Sequence, residues 1–337
     1  MSVAPGPRNL ITDVAGIRVG NAGDDRVRSG VTVVLPERSA VAAVDVRGGA
    51  PGTRETDALD PTCLVANVDA VVLSGGSSFG LEAGAAAMTW LAARGVGFAV
   101  GAARIPVVPA AILFDLLNGG DKEWGEAAPY ARLAREACEA AAADFALGNV
   151  GAGLGAKAGS LKGGLGSVSA VTPEGLAVGA LVAVNALGDT VMPGQSCFWA
   201  WPFERAGELG GQTPPRGAVP ADEALVASPF ARIGANTTIS VVATNAVLDK
   251  AEARRVAIMA QDGYARAIRP AHTPFDGDTV FVLATGAHPL AEPRAAALSL
   301  LGALAADCIA RAVARGVFTA ESLGGLMSYR DWLKIRG

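Results

Sequence analysis

Uninterrupted apolar and β-branched runs closed by glycine or asparagine constrain this chain more than any other feature. Ala70-Val-Val-Leu-Ser-Gly-Gly, Leu176 to Val184 (stopping at Asn185) and Thr237-Thr-Ile-Ser-Val-Val-Ala-Thr read as strands. They lack the polar alternation of a half-solvated strand, so sheets built from them need cover on both faces. Composition agrees: 51% of residues are hydrophobic, 18% are charged and 43 are glycine. That balance excludes a disordered chain, and 337 residues suffice for one large domain or two ordinary ones.

Further strands are expected at Ile17-Arg-Val-Gly, Gly30-Val-Thr-Val-Val-Leu, Ala40 to Val46 and Thr279 to Ala284. Helical spacing covers Phe79 to Ala93, Leu133 to Phe145, Ala251 to Ile268 and Glu292 to Arg315. Val150 to Ala170 is dense in glycine, and the Pro-containing stretch from Gly207 to Pro229 reads as an exposed loop or linker. Strands and helices alternate in the later half, which makes the class α/β or layered α+β.

Basic and acidic residues nearly balance, 28 against 32, without a Lys/Arg cluster, so nucleic acid is not an expected partner. The first residues lack a signal-peptide layout. Apolar stretches are interrupted before the roughly 18 residues a crossing helix needs, so no membrane association is expected. Four scattered cysteines, Cys63, Cys138, Cys197 and Cys308, read as free thiols in a reducing cytoplasm.

Several motifs resemble sites without completing one. Gly151-Ala-Gly153-Leu-Gly-Ala156 resembles a dinucleotide turn but lacks the preceding strand, so no cofactor is expected. Gly76-Ser-Ser78-Phe-Gly80 matches a nucleophile elbow, yet only His272 and His288 are available as bases. Its bland reading is a tight turn with Ser77 or Ser78 capping a helix. Asp276-Gly-Asp278 offers two carboxylates, an incomplete cage for a hard cation, and two histidines leave a zinc site short of ligands. No metal is expected.

With histidine scarce, a hydroxyl nucleophile needs another base. A threonine made N-terminal by chain cleavage supplies its own α-amine, which titrates at about 7.7–8.0. Arg232-Ile-Gly-Ala-Asn236-Thr237-Thr-Ile-Ser-Val-Val has the required form: a flexible turn, a small polar residue, then a rigid strand.

From this point the chain resembles the L-aminopeptidase/D-esterase family, including its 6-aminohexanoate (nylon) oligomer hydrolase branch. The resemblance rests on Asp45-Val-Arg-Gly-Gly, Leu73-Ser-Gly-Gly-Ser-Ser-Phe-Gly-Leu-Glu-Ala-Gly, Gly151-Ala-Gly and Lys162-Gly-Gly-Leu-Gly-Ser. It continues through Val184-Asn185, Asn236-Thr-Thr-Ile-Ser-Val-Val-Ala-Thr-Asn and His272-Thr-Pro-Phe-Asp-Gly-Asp-Thr, in the family's order. It implies a four-layer αββα sandwich of the N-terminal-nucleophile type, in which the Ser78 elbow is only a turn. It also implies one hydrolase domain cut at Asn236–Thr237 into residues 1–236 and 237–337, which stay associated as a homo-oligomer, often a tetramer. Thr237 would be both self-cleavage and catalytic nucleophile, with Asn185 stabilising the oxyanion. Asp276 and Asp278 would flank the freed amine in the nylon-hydrolase pattern.

The family lysine falls at Lys157 or Lys162, and the Lys-Gly-Gly context favours Lys162. Phe114 stands where characterised members carry a substrate-side tyrosine. Expected substrates are short peptides, amino-acid amides or linear amide oligomers. A non-catalytic assembly protein is the alternative that Phe114 raises.

Overall fold

A computed structural model describes residues 3–215, 217 and 236–336. In chain order the strands begin with β1 (Ile17–Asp24), β2 (Ser29–Pro36), β3 (Ala40–Val46), β4 (Thr53–Arg54), β5 (Asn67–Val68) and β6 (Val71–Ser74). Helix α1 (Glu82–Ala92), a hairpin of β7 (Phe98–Val100) and β8 (Ala103–Ile105), strand β9 (Ala110–Ile112) and helix α2 (Tyr130–Glu139) follow. The second half holds β10 (Lys157–Ala158), β11 (Leu161–Lys162), β12 (Gly164–Val171), β13 (Ala177–Asn185) and β14 (Thr237–Ala246). It closes with α3 (Lys250–Ala260), α4 (Asp262–Ala267), β15 (Thr279–His288), α5 (Arg294–Thr319) and α6 (Tyr329–Arg336).

Two large sheets result, ordered β1-β2-β6-β9-β4 and β12-β13-β14-β15-β3-β5. Because strand side chains alternate between faces, each buried strand feeds two cores. Ile239, Val241 and Ala243 of β14 join Leu181, Phe281, Val34 and Leu73 between the sheets. Val242 and Ala246 point the other way, into a core with Val256, Tyr264, Ile309 and Val313 of the α3–α5 layer. Val31, Val33 and Val72 of the first sheet pack on Ala87, Leu91, Leu133 and Ala137 of α1 and α2. The layering is therefore helix, sheet, sheet, helix, the sandwich implied by the resemblance.

Several elements depart from expectation. The glycine-dense stretch contains β12, a full eight-residue strand. Its glycines admit α5: a Cβ on Gly166 would sit 1.9 Å from the Ala312 carbonyl oxygen, and one on Gly164 would sit 2.5 Å from that of Gly316. Helix α2 ends at Glu139 rather than Phe145, since Ala142 forms a bridge with Val19 of β1. The Ala251–Ile268 helix breaks at Gln261 into α3 and α4.

Helix α5 corrects the expectation about apolar stretches, being 26 residues long with hydropathy 1.7, enough by length and composition to cross a bilayer. Gly302, Gly316 and Arg311 do not interrupt it because the fold uses each of them inside the protein, where 61% of its most apolar window is buried. Of Gly207–Pro229, residues 216 and 218–229 lie outside the described residues. The described part is not uniformly exposed: Leu209 is buried and the Glu204 carboxylate accepts from the amides of Leu209, Gly211 and Gln212.

Candidate active site

Thr237 opens β14, where its β-branched side chain suits extended backbone. Asn185, the last residue of β13, lies directly opposite it in the antiparallel register. On the other side β15 runs parallel, with Ile239 beside Thr279, so the Asp276-Gly-Asp turn leading into β15 is level with Thr237. A Cβ on Gly277 would come 2.9 Å from Thr237 Oγ1, so only glycine lets the turn lie this close. Thr237 is buried, and its hydroxyl donates to the carbonyl oxygen of Asn236.

Both carboxylates are enclosed and specifically held. Asp278 Oδ1 accepts from the Thr238 amide at 2.9 Å, and Oδ2 accepts from the His272 amide at 3.0 Å. His272 Nδ1 also lies 2.8 Å from Oδ2. Asp276 Oδ2 accepts from the amide and hydroxyl of Thr273, and Oδ1 from the Leu187 amide. Burial first, and the neighbouring charge of Asp278 second, raise the Asp276 carboxyl from its ordinary 3.8 to about 6. The Asp45-Val-Arg-Gly-Gly motif has its purpose here. The amides of Arg47 and Gly48 donate to the Asp278 carbonyl, and that of Ala50 to the Asp276 carbonyl. A Cβ on Gly48 would stand 2.3 Å from the Asp278 nitrogen.

Asn185 is also buried. Its Nδ2 donates to the Phe114 carbonyl at 3.0 Å, and its Oδ1 accepts from the Lys157 amide at 3.0 Å. Phe114 thus engages the site through its backbone, a contact indifferent to a ring hydroxyl. The two lysines diverge. Lys162 is fully buried, with Nζ donating to the carbonyls of Gly153 and Gly163, and burial lowers its pKa to about 7 against the attraction of Asp115. Lys157 is lowered by burial too, but the carboxylate that opposes the shift is Asp276. Of the two lysines Lys157 is therefore the one that feels the charge of Asp276, whereas no described hydrogen bond joins Lys162 to Thr237, Asp276 or Asp278.

The glycine turn after β6 is a structural brace. Asp115, next to Phe114, accepts from the Gly76 amide and the Ser29 hydroxyl, while the Ser77 amide donates to the Leu113 carbonyl. No serine side chain caps the short helix that follows, which corrects that expectation; the turn is closed by backbone and by Asp115. The left-handed residue is Ser77 rather than Ser78, and neither histidine bonds Ser78 among the described residues. Gly151-Ala-Gly153 forms a tight turn whose Ala152 amide donates to the Thr32 hydroxyl, with β10 rather than a helix after it.

Sequence reasoning offers Lys157 only as the alternative to Lys162, and it gives Thr273 and Asp115 no role and His272 only that of a possible base for the serine elbow. For His272 and Thr273 a signal is present, since both lie in the same run, His272-Thr-Pro-Phe-Asp-Gly-Asp, as the two acids.

The profile of Peptidase family S58 matches residues 9–330. An uncharacterized aminopeptidase of Mycobacterium tuberculosis is 47% identical over 342 aligned positions, covering 96% of this chain and 97% of the relative. A 6-aminohexanoate-oligomer endohydrolase of a Kocuria species is 31% identical, covering 83% and 76%. Among solved structures, the L-aminopeptidase D-Ala-esterase/amidase of Ochrobactrum anthropi, described as a variant of the Ntn hydrolase fold, aligns with TM-score 0.74. That alignment covers 100% of this chain and 94% of the other at 21% identity, a likeness of fold alone.

Proposed function

The chain belongs to peptidase family S58 and is an amide-bond hydrolase, and we propose that its nucleophile is Thr237, freed by self-cleavage after Asn236. The observation that carries this reading is the contact between the Thr237 hydroxyl and the Asn236 carbonyl, inside a buried site beside two carboxylates. A hydroxyl in that position is within reach of the carbonyl carbon it must attack.

In self-cleavage Thr237 Oγ1 adds to the Asn236 carbonyl carbon, and collapse expels the Thr237 nitrogen, which takes up the hydroxyl proton. The product is an ester between Asn236 and Thr237 that water splits into a carboxylate at Asn236 and a free hydroxyl. The liberated α-amine then serves as base in turnover. It accepts the Oγ1 proton as the hydroxyl attacks a substrate amide, and returns a proton to the departing amine. Water hydrolyses the acyl-enzyme.

Asp276 and Asp278 favour the charged form of this amine, and Lys157 tempers their combined negative charge. Asn185 is paired with Thr237 across the strand ends, and in this reading its Nδ2 is the donor that stabilises the oxyanion; losing one such donor costs about 3–4 kcal/mol of barrier. Lys162 has a supporting role in this scheme, bracing the Gly153 and Gly163 carbonyls.

Substrates in this reading are short peptides, amino-acid amides or linear amide oligomers, following the activities for which the relatives are named. Amino-acid p-nitroanilides assayed beside N-blocked and free 6-aminohexanoate oligomers separate the two classes. Rapid turnover of blocked oligomers would exclude strict aminopeptidase specificity. The processed pair is proposed to assemble as a homo-oligomer, a tetramer, supported by the exposed apolar Phe98, Val100 and Ile105 of the β7–β8 hairpin. A cytoplasmic location is proposed, supported by four unpaired thiols.

The test is a denaturing gel with parallel activity assay. Wild type gives two bands and activity; Thr237→Ala gives one band and none. An active, two-band Thr237→Ala protein excludes this nucleophile.

A further inference from the structure

Asn236 is the residue whose carbonyl Thr237 attacks first, so its side chain occupies the position that a substrate's acyl side chain takes in turnover. It is fully buried, at 0% exposure. Among the described residues neither Oδ1 nor Nδ2 has a hydrogen-bond partner. A carboxamide has two good lone pairs and two donors, and nearly all such groups are satisfied when buried. One that is enclosed yet makes no hydrogen bond lies among groups that offer it none.

We propose that the space filled by the buried Asn236 side chain becomes the acyl-side specificity pocket of the mature enzyme, and that it selects aliphatic acyl groups over polar ones of equal size. The proposal rests on Thr237 being the nucleophile for both reactions, since only then do Asn236 and a substrate acyl group present their carbonyls to the same hydroxyl. Leucine is the discriminating comparison. Its side chain matches asparagine in heavy-atom count and branching, but it brings nothing that needs a hydrogen bond. The self-cleaving chain thus carries a poorly suited residue into the pocket, which favours departure of the Asn236 end once the bond is cut. A substrate with an aliphatic group there keeps its binding energy.

Two measurements test this. First, processed wild-type protein is assayed on the p-nitroanilides of L-leucine and L-asparagine. The expected kcat/KM ratio favours leucine by about 10-fold or more, the usual consequence of burying an unpaired amide. A ratio at or below one overturns the pocket assignment. Second, the melting temperatures of uncut Thr237→Ala and Thr237→Ala/Asn236→Leu are compared. The double variant is expected to melt higher, because an isosteric apolar group replaces the unpaired carboxamide. A lower melting temperature shows that asparagine is well accommodated and the pocket is not apolar. Should wild type hydrolyse neither anilide nor any amide offered, the threonine mechanism fails. The melting comparison, which needs no catalysis, still decides the character of the cavity.

Discussion

Thr237, Asn185 and the two aspartates meet because strand ends and one turn converge, and each is held by contacts specific to its chemistry. Among them Asp276 makes the sharpest demand, an acid raised to about 6 by burial and by its neighbour's charge. An acid whose folded pKa exceeds its unfolded one binds more protons when folded. Stability of the uncut chain therefore falls as pH rises between about 4 and about 6, and the cost stays in full above that. Denaturant unfolding of Thr237→Ala across this window should show the fall, and Thr237→Ala/Asp276→Asn should flatten it. An unchanged slope in the double variant would mean that Asp276 is not the titrating group.

That Thr237 and the acid pair come together is legible in the sequence, because each sits in a contiguous run at the start of a strand. His272, the partner that fixes Asp278, carries no local signal for that contact, because its amide and ring meet the carboxylate only once the turn into β15 has folded. Lys157 and Lys162 are direct partners in a two-residue hairpin pairing, and motif context does not encode which of them feels the charge of Asp276.

At the scale of elements, the strands with unbroken β-branched runs were legible and the glycine-rich one was not. β12 has little hydrophobic payload of its own. Its place comes from α5 pressing on it, through backbone contacts that any side chain would block. Gly166→Ala should therefore destabilise the fold by about 1–3 kcal/mol or more, as overpacking a close contact does. Calorimetry reads this as a lowered melting temperature. An unaffected melting point would show that α5 and β12 have room to separate. The helix boundaries missed at Phe145 and Gln261 share a cause, since a bridge to Val19 and a break before α4 are tertiary effects with no local signal.

Across the whole molecule, the second sheet joins segments from either side of position 237. β14 and β15 lie between β13 and β3, so the proposed fragments interleave rather than merely touch. A buried ion pair adds to this. Arg311 of α5 donates to both oxygens of Glu208, at 2.6 and 2.8 Å, and to the carbonyl of Ser169. Arg311→Met leaves the Glu208 carboxylate buried without its partner and should cost about 3–5 kcal/mol. Adding Glu208→Leu should recover most of that loss, because an apolar pair of similar volume fits the same space. Thermal unfolding of the single and double variants checks both expectations; equal losses would show that the cluster acts through shape rather than charge. The αββα layering followed from the family likeness, whereas nothing in sequence spacing joined Glu208 to Arg311.

The central claim is that activity belongs to a chain severed ahead of Thr237. Intact-mass spectrometry of purified, catalytically active protein under denaturing conditions tests it most directly. Two species are predicted, with masses of residues 1–236 and 237–337, the lighter bearing a reactive amine on threonine. A single species with the mass of the unbroken chain, in a sample of undiminished activity, would contradict it.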